Sequence, residues 1–267
     1  MHKAYLMNIE DLPEEEAFPI VPSWRREKAE RLRFAKDKKL SLGAWLLLMY
    51  AMKKEGLSCG EVAFTERGKP YFTDSALPRF CLSHAGSYAL CAIADEEVGC
   101  DVQDAVAPSP RLIDRVCTPR EKALFSASPQ GKLSSESETD EVPVPTSSAP
   151  DGAPSPQGEG QTVLPLEGKL SAKPTDEVSV SSSAASERHL PTKERQEDLF
   201  ASLWAKKESL VKLSGAGMAA DFASLETPDD PCFFIDHHAV YACTKNGGFP
   251  QETAVVGVGE VLAFLRT

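Results

Sequence analysis

The chain has 267 residues, 42% of them apolar, which is enough to build one large core or two smaller ones. Its formal net charge of −11 and its isoelectric point near 5.0 argue against a dedicated binder of nucleic acid or of anionic membranes, because such proteins usually carry a basic face. No apolar run approaches the roughly 18 residues that span a bilayer, and the first residues lack the basic-then-apolar layout of a signal peptide. We therefore expect a cytoplasmic protein that binds neither nucleic acid nor membrane.

The predicted elements of the first hundred residues begin with a strand and two helices. In chain order they are a strand at 4–9, a charged helix from Trp24, a helix at 38–54, short strands at 62–65 and 71–72, a buried strand at 80–82, and a hairpin of 88–94 with 97–102 that turns at Asp95-Glu96. The seven cysteines are an odd number and show no C-x-x-C spacing, and several of them lie in strand-like apolar runs. This pattern indicates reduced core thiols and neither a zinc knuckle nor a disulfide scaffold.

The composition changes between Ser126 and Leu190. This segment contains no aromatic residue, and ten acidic residues stand against four basic ones, so it holds more than half of the net charge of −11. A segment with so little apolar surface is predicted to be disordered. Just before it, Thr118-Pro119-Arg120-Glu121 matches a capping box with Pro at the first helical position, which predicts the start of a short helix.

A long helix is predicted after this segment, because no Gly or Pro occurs from Glu194 to Ser214. Glu208 falls on an apolar stripe with Trp204 and Val211, and Lys212 follows one turn later. A carboxylate at the edge of a buried face needs a partner or a metal, although a plain helix-stabilising Glu–Lys pair fits the spacing equally well. The remaining elements are predicted strands at 221–225, 232–236, 239–244 and 254–258 and a helical piece at 260–265.

Three further stretches carry residues suited to binding phosphate or a cation. Asp101 and Gln103 alternate along a strand, so their oxygens share one face about 6.5–7 Å apart and suit one hard cation. The Gly68-Lys69-Pro70 turn lets the backbone approach a ligand closely and brings a charge, although it is also a common surface turn. The strand that ends at Ser83-His84 suits a phosphate ligand, although a lone His is more often structural.

A basic excess marks the helix that begins at Trp24. Arg25 and Lys28 belong to this cluster within an otherwise acidic protein. The cluster is compatible with a phosphate site and also with an ordinary solvated helix face.

Taken together, four motifs in this order resemble the 4′-phosphopantetheinyl transferases of the surfactin-synthetase type. They are Gly68-Lys69-Pro70, Phe80-Cys81-Leu82-Ser83-His84, Gly99-Cys100-Asp101-Val102-Gln103, and Trp204-x-x-Lys207-Glu208-Ser209-x-x-Lys212. The resemblance covers the chain apart from residues 126–190. It implies an α+β fold that is a pseudo-dimer of two similar α/β halves, each with a small, mainly antiparallel sheet and a long helix. We expect the first half at 1–104 and the second at 105–267, interrupted by 126–190, in a monomeric protein.

The resemblance also implies roles for individual residues. Asp101 and Glu208 match carboxylates that hold Mg²⁺ against the pyrophosphate of coenzyme A. Gln103 stands where many members have a third acid, which is a departure from the family pattern. Glu208 is further expected to act as the base for the attacking serine, and Lys212 to neutralise charge on the pyrophosphate. The residues expected to bind coenzyme A are Arg25, Lys28, Gly68, Lys69, Pro70, Ser83, His84 and Lys207.

The activity implied is transfer of 4′-phosphopantetheine from coenzyme A to a serine of an acyl, peptidyl or aryl carrier protein. The reaction depends on Mg²⁺ and releases adenosine 3′,5′-bisphosphate. Two alternatives remain open at this point. One is a catalytically weak paralogue that binds coenzyme A or a carrier protein, which the substitution at Gln103 favours. The other is a different Mg²⁺-dependent phosphoryl-transfer enzyme.

Overall fold

The structure is a computed structural model that describes residues 1–126, 193–217 and 220–267. The segment predicted to be disordered lies outside the described residues except for Ser126. Seven helices occur in the described ranges: α1 (Glu14–Ala17), α2 (Ser23–Glu30), α3 (Ala35–Lys54), α4 (Pro110–Val116), α5 (Pro119–Ser126), α6 (Lys193–Ser214) and α7 (Val258–Arg266). Within these same ranges, no helix has the length and apolarity needed to cross a bilayer.

Across the described part of the chain, ten short strands form two four-stranded sheets and a separate hairpin. The first sheet has the order β10 (Thr253–Val255), β1 (His2–Asn8), β5 (Tyr88–Ala94) and β4 (Arg79–Ala85). The second sheet contains β6 (Val98–Asp104), β8 (His238–Thr244) and β7 (Phe233–Ile235), with β9 (Gly247–Gly248) also on β8. The hairpin pairs β2 (Val62–Phe64) with β3 (Pro70–Phe72). All pairs are antiparallel except β1 with β10.

Strand alternation sorts the side chains into layers. One face of the first sheet, including Met7 and Phe80, shares a core with the buried length of α3. Its other face, including Leu6, packs against the second sheet through residues such as Val102. The far side of the second sheet is covered by α6, where Ala205 is fully buried. The layers therefore follow the order α3, first sheet, second sheet, α6.

Gly99 on β6 allows α6 to lie directly against the second sheet. A Cβ atom at this position would come within 1.9 Å of the main-chain oxygen of Ser209 and 2.7 Å of the main-chain nitrogen of Leu213. Both distances are far shorter than any real contact of a Cβ atom. Because Gly99 precedes Asp101 by two residues on the same face of the strand, this close packing also fixes the distance from Asp101 to the helix.

The helix contributes its own narrow face to this contact. Ala201, Ala205 and Ser209 recur every four residues and are fully buried. The Ser209 hydroxyl donates to the main-chain oxygen of Tyr241 on β8 at 3.2 Å. Small side chains therefore face the sheet, whereas the bulky Phe200 packs away from it in the cluster formed with α4.

Several predicted elements are confirmed. The strand at 4–9 and the helices at 38–54 and 194–214 are present with slightly different ends. The capping box forms, since the Thr118 main-chain N–H donates to Glu121 Oε2 at 2.8 Å and the Glu121 N–H donates back to Thr118 Oγ1 at 3.3 Å. All seven cysteines are free thiols, and five of them are buried.

Two predictions are wrong. The stretch 221–225 is not a strand, because the Asp221 side chain accepts from the Ala223 N–H and caps a 3₁₀ turn at Phe222–Ser224. The predicted hairpin of β5 with β6 is also not formed, since β5 pairs with β1 and β4 while β6 pairs with β8. The true hairpin is β4–β5, which turns at Gly86-Ser87 with Gly86 at a φ of 56°.

The pairing of β6 bears on where the halves divide. A boundary after residue 104 assigns β6 to the first half, yet this strand is an edge of the second sheet. The sheets therefore change over at Asp95–Glu97, whereas β10 near the end of the chain returns to the first sheet. The helix and sheet content is consistent with an α+β fold, and the pseudo-dimer stays a prediction.

Replacing Gly99 by Ala is expected to lower the free energy of unfolding by about 1–3 kcal/mol or more, because the added methyl group overlaps the backbone of α6. Urea denaturation measures this change. Gly259→Ala in α7 is the matched control, since a Cβ there meets nothing within 4 Å and the exchange should stabilise the helix by roughly 0.5–1 kcal/mol. A Gly99→Ala protein as stable as wild type would contradict the close packing of α6 on β6.

Candidate active site

The central feature of the site is a hydrogen-bonded group of Ser83, Asp101 and Lys212. The Lys212 ammonium donates to Asp101 Oδ1 at 2.7 Å and to Ser83 Oγ at 2.9 Å. The Ser83 hydroxyl donates to the same Asp101 oxygen at 2.6 Å. Asp101 and Ser83 are buried, whereas the Lys212 side chain remains 30% exposed. Three distant segments of the chain thus meet at one point, where the edge strands β4 and β6 adjoin α6.

Lys212 is held in its charged form by these neighbours. Burial alone would lower the pKa of the ammonium group, but the Asp101 carboxylate beside it raises the pKa above the ordinary value for lysine. Glu208 adds to the same effect from one turn earlier in α6. Lys212 is therefore ionised at neutral pH, and part of its side chain reaches solvent.

Glu208 is a half-buried carboxylate next to this group. Burial raises the pKa of its carboxyl, the negative charge of Asp101 raises it further, and Lys212 offsets only part of the increase. The two carboxylates therefore repel one another in a partly desolvated place. Such a pair is well suited to a divalent cation, which would relieve the repulsion.

The number of carboxylates next to Lys212 also suits Mg²⁺. No group of three or more His, Cys, Asp and Glu side chains that suits a metal is found in the described part of the chain. Asp101 and Glu208 thus offer two carboxylates and not a complete cage. Mg²⁺ is commonly bound in this way, through one or two carboxylates completed by water and substrate phosphates.

Gln103 lies on the same face of β6 as Asp101, as the alternation of the strand requires. It is half-buried, and its amide nitrogen donates to the main-chain oxygen of Asp104 at 3.4 Å. This bond leaves the amide oxygen as the group available to a cation. That Gln103 ligates a metal stays a prediction.

Ser83 and His84, predicted together, face opposite ways. Ser83 joins Cys81 on the side of β4 that meets the second sheet, as its bond to Asp101 shows. His84 falls on the other face, which β4 turns toward α3. The strand therefore brings only Ser83 into the Asp101 group.

Arg25 and Lys28 lie on α2, outside the Asp101 group. Arg25 is 3% exposed, and its guanidinium lies 5.0 Å and 4.9 Å from the ring centroids of Trp24 and Trp45. It also donates to Ser41 Oγ on α3 at 3.2 Å. Arg25 thus anchors α2 on α3, and Lys28 is half-buried one turn further on.

The Gly68-Lys69-Pro70 motif forms the turn between β2 and β3, where Gly68 has a φ of 83°. The Lys69 ammonium donates to Glu97 Oε2 at 3.0 Å and to the main-chain oxygen of Val98 at 3.2 Å. Lys69 and Pro70 line a cavity of about 310 Å³. The turn is therefore tied to the start of β6, three residues before Asp101.

Lys207 does not lie with the other predicted site residues. Its side chain is fully buried and donates to Glu121 Oε2 at 2.6 Å and to the main-chain oxygens of Val116 and Phe222, both at 2.8 Å. All three ammonium hydrogens are therefore used by groups within the fold. Lys207 joins α6 to α4 and α5, and in this structure it has no surface open to a ligand.

A larger cavity of about 500 Å³ begins where β4 ends, and sequence reasoning missed it. Its lining includes Gly86 and Ser87, Lys36 and Lys39 at the start of α3, and Asp104 and His238 from the second sheet. Asp104 is three residues beyond Asp101 on β6, a distance of roughly 10 Å along the strand. The available signal was three lysines at positions 36, 38 and 39, around the predicted start of the helix at 38–54.

Glu208→Gln is expected to raise the melting temperature of the metal-free protein at neutral pH. A carboxyl whose pKa is raised by folding contributes stability only at low pH and loses it as the pH rises through the folded pKa. If removing the repulsion raises the free energy of unfolding by about 1 kcal/mol, the melting temperature should rise by roughly 2–4 °C. The difference from wild type should shrink as the pH falls toward the ordinary range for glutamate. Thermal melts across pH test this, with the exposed Glu226→Gln as control, and an unchanged or lower melting temperature for Glu208→Gln would exclude the repulsion.

No family model matches the chain. A protein of Bacillus subtilis named 4′-phosphopantetheinyl transferase is 29% identical to it over 119 residues, which are 43% of this chain and 52% of that protein. The chain thus aligns with about half of the length of this relative. The similarity supports a relationship to the phosphopantetheinyl transferases and does not distinguish the surfactin-synthetase type.

Proposed function

We propose that this protein transfers 4′-phosphopantetheine from coenzyme A to a serine of an acyl, peptidyl or aryl carrier protein, as a holo-carrier-protein synthase of the surfactin-synthetase type. The observation that carries the proposal is the convergence of Ser83, Asp101 and Lys212 beside Glu208. These residues come from three of the four motifs on which the resemblance rests. The named Bacillus subtilis relative supports the same class of reaction.

Lys212 is the group best placed to receive the pyrophosphate of coenzyme A. Its ammonium is partly exposed, and the bonds to Asp101 and Ser83 hold it in position before any ligand binds. The phosphoanhydride bond within the pyrophosphate breaks, and the charge that develops on the departing 5′-phosphate of the nucleotide would be neutralised there. The leaving group is adenosine 3′,5′-bisphosphate.

Glu208 is the proposed base for the serine of the carrier protein. Its carboxylate is half-buried beside Asp101 and Lys212, so it lies where the serine of the carrier protein would meet the pyrophosphate. The serine oxygen attacks the phosphorus next to the pantetheine arm, its proton passes to Glu208, and the phosphoanhydride bond to the nucleotide breaks.

Asp101 and Glu208 would hold Mg²⁺, with the amide oxygen of Gln103 as a further neutral ligand. The cation supplies electrostatic stabilisation of the pyrophosphate oxygens. We place coenzyme A between this group and the two cavities, where Lys69 on one side and Lys36 and Lys39 on the other offer ammonium groups to its phosphates. The proposal keeps the expectation of a cytoplasmic monomer.

Mass spectrometry of apo carrier proteins incubated with the enzyme, coenzyme A and Mg²⁺ tests the proposal. We expect a gain of one phosphopantetheine on at least one carrier of the fatty-acid, polyketide or peptide type. Asp101→Asn and Glu208→Gln should reduce the rate by at least about 100-fold, since each removes a charge from the centre of the reaction. The exposed Glu226→Gln should transfer at the wild-type rate.

Absence of transfer to all three kinds of carrier, with coenzyme A still bound, would favour the binding paralogue instead. Transfer by Glu208→Gln within a few-fold of wild type would exclude Glu208 as the base. These two results separate failure of the activity from failure of the residue assignment.

Gln103→Glu should lower the Mg²⁺ concentration that gives the half-maximal rate. Replacing a neutral oxygen by a carboxylate contributes on the order of 1–2 kcal/mol at an effective dielectric constant near 20, which is about tenfold in apparent affinity. The maximal rate need not rise, because tighter binding of the ground state does not by itself speed the chemical step. A Mg²⁺ titration of both proteins measures the effect, with the exposed Gln251→Glu as control. Identical midpoints for wild type and Gln103→Glu would mean that Gln103 does not face the metal.

A further inference from the structure

Two buried thiols face each other across the junction of the two sheets. Cys81 on β4 and Cys100 on β6 belong to different sheets, and both are edge strands. The Cys100 main-chain N–H donates to Cys81 Sγ at 3.2 Å, and the Cys81 thiol lies 3.7 Å from the main-chain oxygen of Cys100. In the reverse direction, the Cys100 thiol donates to the main-chain oxygen of Cys81 at 3.3 Å. Each sulfur thus rests against the backbone of the other residue.

This mutual contact turns each thiol toward the other residue, which is one condition for a disulfide. A disulfide also requires Cα atoms about 4.4–6.8 Å apart, and the crossed sulfur-to-backbone contacts hold the two residues near each other. Among the described residues, no other two cysteines make such hydrogen bonds to each other's backbone, and Cys91 faces the α3 core on the other side of the first sheet. The pair is therefore set apart by geometry from the other thiols.

The surroundings favour oxidation at Cys81. Its side of β4 carries Ser83 two residues later, which is bonded to the partly exposed Lys212. The hydrogen bond from Cys100 lowers the pKa of the Cys81 thiol to about 7 despite burial, and the positive charges of Lys212 and Lys69 act in the same direction. Cys81 retains 5% exposure, whereas Cys100 has none. A small oxidant entering beside Lys212 would meet Cys81 first.

We propose that Cys81 and Cys100 form a reversible disulfide that joins the two sheets and restrains the adjoining Asp101. With a peroxide as oxidant, the Cys81 thiolate attacks one peroxide oxygen, the O–O bond breaks, and a sulfenic acid and hydroxide result. The Cys100 thiol then displaces that sulfenic oxygen as water and forms the S–S bond. The two sulfurs together lose two electrons and the peroxide gains them, and a dithiol reductant reverses the reaction.

A bond between Cys81 and Cys100 would act on the site through the residues that follow each cysteine in the chain. Asp101 directly follows Cys100, and Ser83 lies two residues beyond Cys81, so a covalent link would move or lock both partners of Lys212. The loss of transferase activity expected on oxidation depends on the proposed function, whereas formation of the bond does not. The two claims are therefore separable by experiment.

Hydrogen peroxide treatment of the folded protein, followed by blocking of free thiols and non-reducing peptide mapping, tests the bond itself. We expect one linked peptide pair containing Cys81 and Cys100, lighter by two hydrogen atoms and released by dithiothreitol. Cys81→Ala and Cys100→Ala should each abolish the link, and Cys91→Ala should retain it. Recovery of Cys81 and Cys100 as separately blocked thiols, or linkage of either to another cysteine, would overturn the proposal.

Hydrogen exchange and activity then test the effect of the bond. In the oxidised wild type, amide exchange in β4 and β6 should slow, and the transfer rate should fall at least tenfold, with both changes reversed by dithiothreitol. Cys100→Ala should show neither change under the same treatment. A linked wild type with unchanged exchange and unchanged rate would overturn the restraint of Asp101.

Discussion

The site depends on one steric constraint, the direct contact of the α6 backbone with β6 at Gly99. No side chain larger than hydrogen fits between the strand and Ser209 of the helix. Because α6 lies so close, Lys212 reaches Asp101 two residues further along the strand. The small residues Ala201, Ala205 and Ser209 extend the same contact along the helix. The charged groups of Lys212 and Asp101 are thus placed by the close packing of α6 on β6, which small side chains make possible.

The opposite face of α6 is fixed by a buried ion pair. Lys207 lies next to Glu208 in sequence but points into the fold, where Glu121 and two main-chain oxygens satisfy its charge. Burial works against ionisation of Glu121, yet its bonds to Lys207 and to the Thr118 N–H keep its pKa below the ordinary value. Removing one member of such a pair leaves an unpaired buried charge, which is far more costly than the pair itself. Two adjacent residues of α6 therefore differ in role: Lys207 orients the helix, and Glu208 faces the site.

Sequence reasoning predicted the elements with strong periodicity and the residues that meet at the site. It did not predict which neighbouring residues point into the site and which point into the core. The apolar pattern of α3 and the uninterrupted α6 were sufficient for those helices, and the motif residues Ser83, Asp101, Glu208 and Lys212 do converge. The direction in which each side chain points was not predictable, because adjacent residues such as Lys207 and Glu208 differ in role only through their neighbours in space. The pairing of β6 was missed for a related reason: a short turn at Asp95-Glu96 favours a hairpin, and only the packing of distant β8 decides against it. The cavity at Lys36 and Lys39 likewise requires segments that meet only in the folded chain.

The central claim is that Asp101 and Glu208 hold a divalent cation against the pyrophosphate of coenzyme A beside Lys212. Crystals grown with coenzyme A and Mn²⁺, an oxygen-seeking substitute for Mg²⁺, allow the cation to be located by anomalous diffraction. The account predicts an anomalous peak in bonding contact with the Asp101 and Glu208 carboxylates and with pyrophosphate oxygens, and the Lys212 ammonium against the same pyrophosphate. A coenzyme A molecule bound with its pyrophosphate away from these residues, or a Mn²⁺ peak that contacts neither carboxylate, would contradict it.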